Sequence, residues 1–172
     1  RQKKENGLCL SDYVNPLEKT TADIFDSICL FVTSAGSSVR EYAQKLKEQG
    51  EYLKSHIISA LAIESAEGYA ELLHSQIRNG WGFPDPIDMT MMQRFQAKYH
   101  GKRYSFGYPA CPSLDDQKIL FDLISPQDIG VQLTDGFMMD PEASVSAIVF
   151  HHPDAQYFSV GSTGSGIENE NR

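Results

Sequence analysis

One short stretch, residues 103–112, restricts the fold more than any other part of the chain. It reads RYSFGYPACP and combines two prolines with a glycine, three aromatic rings, one cation and one thiol. Proline lacks a backbone N–H and restricts the residue before it, so this stretch cannot form a helix. We predict an ordered loop between a helical region and a run of short strands. Ordered loops carry a large share of binding chemistry, so we expect the functional site here.

Composition and charge limit the class of protein. The chain has 172 residues, 41% of them hydrophobic, with a net charge of −8, which is typical of one soluble globular domain. The negative charge makes nucleic acid and anionic membranes poor partners, and no apolar run is long enough for a membrane span. Three cysteines, an odd number spread along the chain, argue against a disulfide framework and predict a reducing, cytoplasmic compartment.

The first half of the chain predicts a strand followed by helices. Residues 24–33 (IFDSICLFVT) are rich in β-branched and aromatic residues and predict a buried strand. Residues 39–77 have helical periodicity with a break near Gly50. The side of this helix that we expect to be buried carries Ile57, Ile58, Leu61, Tyr69, Leu72 and Leu73, and the opposite, solvated side carries Glu64, Glu67 and Glu71.

The second half predicts two more helices and a meander. Residues 89–99 are expected to form a helix capped by Asp88, and a second helix is expected to begin at Ser113 and end before Pro126. Its inward residues would be Ile119, Leu120 and Leu123. Three short strands should follow as an antiparallel meander at residues 130–139, 144–150 and 156–160. The predicted class is therefore α+β.

The chain is divided on composition into three parts. We expect residues 1–8 to be a linker, 9–160 to be the folded domain, and the Gly-, Ser- and acid-rich residues 161–172 to be a disordered tail or a remnant of cloning. The charged start without methionine suggests a piece cut from a longer protein.

Two long motifs resemble a known family. The pattern R-x-x-x-G-Y-P-A-C-P (103–112) and the segment GFMMDPEASVSAIVFHHPDAQYFSV (136–160) are similar to the C-terminal activation domain of cobalamin-dependent methionine synthase. AEGYAELLH (66–74) and DSICLFVT (26–33) resemble its helical segment and its early strand. The resemblance implies a C-shaped single domain with a twisted antiparallel sheet and flanking helices.

The same resemblance implies a function. Such a domain binds S-adenosylmethionine in a shallow groove and docks on the cobalamin-binding domain of methionine synthase, so that inactive cob(II)alamin is reductively methylated and the enzyme is reactivated for methionine biosynthesis. Flavodoxin or a similar donor supplies the electron. The chain would thus be part of a methyltransferase, and alone it should bind ligand without turnover.

The sequence leaves one alternative function open and disfavours another. One is a non-enzymatic interaction module that caps a corrinoid protein without binding S-adenosylmethionine. The other, a stand-alone methyltransferase, is disfavoured because no strand, Gly-rich turn and helix unit is present to seat the nucleoside.

The resemblance also implies roles for residues of the loop. Arg103 would hold the ligand carboxylate, for which a guanidinium offers a bidentate fork. Ser105 and Gly107 would lie along the ligand through their backbone, with Phe106 between them. Tyr108 would face the cobalt partner and act in the reaction.

Further ligand contacts are implied outside the loop. Asp26 matches an aspartate of the early strand, although Asp23 or Asp12 could take its place, and Glu67 matches a helical glutamate. Tyr157 and Phe158 match an aromatic pair at the adenosine end, where stacking on adenine suits the residue types.

Two reactive-looking features are interpreted as structural. Cys111 has no matched base nearby in the sequence, so we expect a buried structural thiol. His151 and His152 are adjacent on a predicted strand and would face opposite ways, so we predict no metal site.

Overall fold

The chain folds into an α+β domain. A computed structural model describes residues 1–19 and 26–161. The start of the predicted strand 24–33 and residues 162–172 of the predicted tail lie outside the described residues. In the described part, the helices are α1 (Ser37–Glu48), α2 (Tyr52–Gly80), α3 (Met91–Phe95) and α4 (Gln117–Ile124), and the strands are β1 (Ile28–Ser34), β2 (Lys102–Tyr104), β3 (Gln132–Leu133), β4 (Met139–Asp140) and β5 (Ser144–Phe150).

The main sheet is antiparallel with the order β1-β5-β2. The apolar strand β5 (SVSAIVF) occupies the centre, where Ala147 pairs with Phe31 of β1 and Val149 pairs with Arg103 of β2. Both faces of β5 are covered, since α2 packs on one face and Gln117 of α4 contacts Ser146 on the other, which explains why the alternation of β5 is weak and Ser146 is also buried. The register of β2 on β5 thus sets the position of Arg103.

The predicted meander is wrong. Strands β3 and β4 form a separate two-stranded ladder, β5 pairs with the distant strands β1 and β2, and residues 156–160 form no strand. A meander follows from pairing neighbours along the sequence. Here the apolar β1, more than 100 residues earlier, covers the β5 edge instead, because burial of two apolar strands outweighs the cost of closing a long loop.

The long helical region is confirmed, including its break. Helix α1 ends at Glu48, Gly50 follows with a φ of 81°, and α2 begins at Tyr52. Glycine populates this left-handed conformation readily, so the chain can turn there and the two helices can pack against each other. Helix α2 crosses the face of the main sheet and carries residues of the site described below.

The predicted orientation of α2 is wrong. Its buried residues recur every fourth position at Ala62, Ala66, Ala70, His74 and Arg78, whereas most of the predicted apolar face is exposed, including Leu61 at 56% and Leu72 at 52%. Only Leu73 packs against the core as expected. Small residues let the helix approach the sheet closely, so that Oγ1 of Thr33 donates a hydrogen bond of 3.2 Å to the carbonyl of Ala66.

This orientation gives a direct prediction. Ala70 is fully buried, so Ala70→Leu should lower the free energy of unfolding by about 1–3 kcal/mol through overpacking. Leu61→Ser on the exposed face should change it by no more than about 0.5 kcal/mol. Urea denaturation of the two variants measures both values, and a larger loss for Leu61→Ser than for Ala70→Leu would contradict the described orientation.

The shorter helices also differ from the prediction. Helix α3 is only Met91–Phe95 and is capped by Thr90, whose side chain accepts a hydrogen bond from the backbone N–H of Gln93, rather than by Asp88. Helix α4 begins at Gln117 rather than at Ser113, but it does end before Pro126. The capping box of Thr90 and Gln93 stabilises the start of α3 more than Asp88, a single acidic residue two positions earlier, would.

The buried side of α4 was predicted only in part. Leu120 is buried as expected, but Ile119 and Leu123 are exposed, and Gln117 and Phe121 take their places. Gln117 is tolerated there because its amide accepts from the hydroxyl of Ser146 at 2.7 Å and donates to the carbonyl of Phe137 at 2.8 Å. Among the described residues, no helix is long and apolar enough to cross a membrane.

Candidate functional site

A groove of about 370 Å³ lies between β2, the following loop, helix α2 and residues 157–158. This volume lies in the range of small-molecule sites. Predicted ligand contacts meet there from three separate segments of the chain, namely Glu67, Arg103, Ser105, Tyr108, Tyr157 and Phe158, and the wall is completed by Tyr104, Pro109 and Ala110.

Arg103 is the cation of this groove. It lies on strand β2, so the predicted loop begins only after Tyr104. Its Nη1 donates to Oε2 of Glu71 at 2.5 Å, and its Nη2 is 3.8 Å from Oε2 of Glu67. Burial alone would lower the pKa of Arg103, but the hydrogen bond and the negative charge of Glu71 raise it. The guanidinium therefore stays charged and can bind an anionic group.

The loop after β2 turns back on itself and presents Tyr108. The N–H of Gly107 donates to the carbonyl of Cys111 at 2.8 Å, and the N–H of Cys111 donates to the carbonyl of Tyr108 at 2.9 Å. Gly107 has a φ of 81°, and a Cβ there would lie 2.9 Å from Cδ2 of Leu114, so both conformation and space favour glycine. Gly107 shapes the turn from behind, and the ring of Tyr108 stays 61% exposed.

Aromatic rings form the opposite wall. The ring of Tyr157 is half-exposed and meets the buried ring of Tyr104 at 5.6 Å and 69°. The hydroxyl of Tyr104 donates to the carbonyl of Gln156 at 2.7 Å, which fixes the chain just before Tyr157. Phe158 packs against Tyr104 and Tyr13 in a buried cluster. Tyr157 thus offers a ring for stacking, while Phe158 mainly supports the wall.

Asp26 lies elsewhere and does not line the groove. Its carboxylate accepts from the backbone N–H groups of Asn15 at 2.7 Å and Ser27 at 2.9 Å, and it lies 2.9 Å from Nε2 of His151. These hydrogen bonds lower the pKa of Asp26, because their effect is larger than the opposing effect of partial burial. Of the two alternatives, Asp12 is paired with Arg1, and Asp23 lies outside the described residues. A ligand contact of Asp26 stays a prediction.

Sequence reasoning missed the part played by Glu71. The face of α2 that carries Glu67 and Glu71 was expected to be solvated, but both carboxylates approach Arg103. Their spacing of four residues, which puts them on one face of the helix, is the available signal. The helical wheel predicts a solvated face here because the partner of Glu71, Arg103, is 32 residues away in the sequence. Glu64 and Glu67 are both exposed, and Glu71 is the partly buried one of the three.

A buried polar network continues behind Glu71. Arg78 donates from Nε and Nη2 to the two carboxylate oxygens of Asp85, each at 2.8 Å, and Nη1 of Arg94 donates to Asp85 at 2.6 Å. The guanidinium of Arg78 lies 3.8 Å over the ring centre of Tyr99. Hydrogen bonding to Arg78 lowers the pKa of Asp85. This network makes Arg78 a charged residue of the core.

His74 is fully buried beside this network. Burial, together with the positive charges of Arg78 and Arg103, lowers its pKa from 6.5 to about 3. Between these two values the unfolded chain binds a proton that the folded chain does not bind. The free energy of unfolding should therefore fall as the pH decreases from about 6.5, by up to about 1.4 kcal/mol per pH unit from this group.

The test compares two histidines of the same helix. His74→Asn should flatten the dependence of the unfolding free energy on pH between about pH 7 and about pH 5, whereas His56→Asn, at an exposed position, should leave the dependence of the unmodified chain unchanged. Urea denaturation at several pH values measures the slopes. Parallel slopes for the unmodified chain and His74→Asn would contradict the buried neutral histidine.

Of the remaining reactive-looking residues, Cys111 is only partly buried, in contrast to the buried thiol that was predicted, and His151 is partly buried as well. Burial, together with the charge of Asp116, raises the pKa of Cys111 to about 11, so its thiol is protonated at neutral pH. The ring of His151 contacts Trp81 and Phe83. Across residues 1–19 and 26–161, no three His, Cys, Asp or Glu side chains are grouped so that they could hold a metal ion.

Fold and groove together define an α+β domain whose groove is lined by a partly buried arginine on an edge strand, a tight Gly-Tyr-Pro turn and an aromatic wall, and a groove of this size and lining is suited to a small molecule. The chain matches the family "Vitamin B12 dependent methionine synthase, activation domain" over residues 1–168. It belongs to this family.

Individual relatives agree with the family. The chain is 29% identical to the methionine synthase of Mycobacterium tuberculosis and 28% identical to that of Mycobacterium leprae, in each case over 93% of the chain. It spans only 14% of the length of those proteins. Among solved structures it is similar to the MetH reactivation domain bound to AdoHcy, with a TM-score of 0.73 and 31% identity, covering 77% of this chain and 42% of that one.

Proposed function

We propose that this domain binds S-adenosylmethionine in the groove and serves the reactivation of a cobalamin-dependent methionine synthase. The observation that carries the proposal is the meeting of Arg103, Tyr108 and Tyr157 in one groove. The family match and the solved reactivation domain bound to AdoHcy, the demethylated form of S-adenosylmethionine, support it.

The groove residues match the chemistry of the ligand. The guanidinium of Arg103 would take the ligand carboxylate, and the ring of Tyr157 would stack on adenine. Glu67 supplies negative charge beside the groove, which favours the ligand's ammonium and sulfonium groups. Ser105 and the turn at Gly107 would lie along the ligand. The exposed ring of Tyr108 would face the docked partner.

The methyl acceptor of the proposed reaction is bound by another domain. We propose that the chain docks on the cobalamin-binding domain, where one electron from flavodoxin or a similar donor reduces cob(II)alamin. Cobalamin held by that domain would accept the methyl group of S-adenosylmethionine, and AdoHcy would leave the groove of this chain. This chain contributes binding and orientation of the methyl donor. The parent enzyme would thereby return to the synthesis of methionine from homocysteine in the cytoplasm.

Isothermal titration tests the binding step. The 172-residue chain should bind S-adenosylmethionine saturably with one site, and AdoHcy should compete for it. A folded sample that shows no binding at millimolar ligand would refute the proposal and favour the interaction module without this ligand. Mixing the chain with a cobalamin-binding domain, a reductant and methyl-labelled S-adenosylmethionine should transfer the label to cobalamin only when all components are present.

A further inference from the structure

Glu71 contacts the binding arginine without lining the groove. Its Oε2 accepts from Nη1 of Arg103 at 2.5 Å and from the hydroxyl of Tyr99 at 3.3 Å. The groove itself is lined by Glu67, one helical turn earlier. We propose that Glu71 is a positioning residue, which fixes the guanidinium of Arg103 in the orientation that receives the ligand carboxylate. This inference rests on the proposed binding of S-adenosylmethionine.

A row of alternating charges lies behind Glu71. Oε1 of Glu71 forms no hydrogen bond within the described residues but lies 3.9 Å from Nη2 of Arg78, whose guanidinium is bound through two hydrogen bonds to Asp85. Asp85 in turn pairs with Arg94. The side chains of Arg78 and Asp85 are only 2% and 5% exposed, so these partners have little freedom to rearrange. The row therefore connects a rigid part of the core to Arg103.

Arg103 needs such support because of its own position. It is the middle residue of a three-residue strand at the edge of the sheet, and an arginine side chain has considerable rotamer freedom. Glu71 occupies Nη1 on the side of the core. Nη2 lies 3.8 Å from Oε2 of Glu67, which lines the groove, so the edge of the guanidinium that carries Nη2 faces the ligand side. An arginine without this anchor would lose its rotamer freedom only on binding, which weakens affinity.

Charge and geometry have opposite effects here, which makes the role testable. The negative charge of Glu71 repels a nearby ligand carboxylate, whereas its hydrogen bond orients Arg103. If positioning dominates, Glu71→Ala weakens binding, while Glu71→Gln, which keeps an oxygen acceptor, preserves it. If charge dominates, both variants bind more tightly than the unmodified chain.

The experiment uses two ligands and the 172-residue chain. Titration of Glu71→Ala with S-adenosylmethionine should give a Kd at least about 10-fold higher than that of the unmodified chain, because the variant lacks a hydrogen bond between two charged groups. Its Kd for decarboxylated S-adenosylmethionine, which has no carboxylate to orient, should stay within about twofold. Glu71→Gln should restore binding to within about threefold, and Glu64→Ala, exposed on the same helix, should match the unmodified chain.

The possible outcomes separate the two proposals. Equal losses for both ligands would mean a merely structural role and would overturn the inference, as would unchanged or tighter binding by Glu71→Ala. If the unmodified chain fails to bind S-adenosylmethionine, the proposed function itself is refuted. In that case NMR of the ligand-free chain tests the positioning role. The Nε–H of Arg103 should exchange with solvent faster in Glu71→Ala than in Glu64→Ala. Equal exchange rates in the two variants would overturn the positioning role.

Discussion

Arg103→Ala is expected to weaken the binding of S-adenosylmethionine by about 1.5–3 kcal/mol, which is roughly 10- to 150-fold in Kd. The guanidinium is the cation that lines the groove, and its side chain is only 16% exposed, so its charge is poorly screened by water. Removing it leaves the ligand carboxylate without a charged partner. Isothermal titration of the variant beside the unmodified chain measures the change.

Two further variants make this result specific. Arg103→Lys keeps the positive charge but loses the forked geometry, so its affinity should lie between those of Arg103→Ala and the unmodified chain. Arg40→Ala removes an exposed arginine that pairs with Asp140 and does not line the groove, so this variant should bind normally. Equal affinities for Arg103→Ala and Arg40→Ala would rule out Arg103 as the carboxylate-binding residue.

Asp85→Ala is expected to cost about 3–5 kcal/mol of the free energy of unfolding. It removes one partner of a buried ion pair and leaves the guanidinium of Arg78, which is 1% exposed, with Glu71 at 3.9 Å as its nearest carboxylate. A loss of this size is a large part of the stability of an ordinary domain. Denaturant unfolding monitored by the fluorescence of Trp81 measures it.

The matched control is an exposed pair. Lys118 and Asp122 form an ion pair of 3.1 Å in which both side chains are about two-thirds exposed, so Asp122→Ala should cost no more than about 1 kcal/mol. The double variant Arg78→Met with Asp85→Ala should be more stable than Asp85→Ala alone, because no unpaired charge stays buried. If Asp85→Ala and Asp122→Ala lower the free energy of unfolding by similar small amounts, burial of the Arg78–Asp85 pair does not contribute to stability.

Features that depend on neighbouring residues could be predicted from the sequence. The helical region, its break at Gly50 and the non-helical loop after Tyr104 follow from periodicity and from the backbone properties of glycine and proline. The strand character of β5 likewise follows from the alternation of Val145, Ala147 and Val149 with the residues between them. The α+β class was predicted correctly because it depends only on which elements are present.

Features that depend on which surfaces meet could not be predicted. Counting apolar side chains placed Leu61 and Leu72 of α2 inward, whereas the sheet is approached by Ala66 and Ala70. A stripe of small residues permits close contact between a helix and a sheet, and its advantage appears only when the partner surface is known. The same limit applies to the sheet order, in which β5 pairs with strands distant in sequence.

The same distinction applies to the functional site. The chemical types at the site follow from the sequence alone, since the R-x-x-x-G-Y-P-A-C-P motif supplies Arg103, Gly107 and Tyr108 within a few residues. What surrounds them depends on the fold, which brings Tyr157 to the opposite wall and Glu71 to the guanidinium. A motif identifies residues that are close together along the chain. The ion pair between Glu71 and Arg103 joins residues 32 positions apart, so it forms only when the helix packs on the sheet.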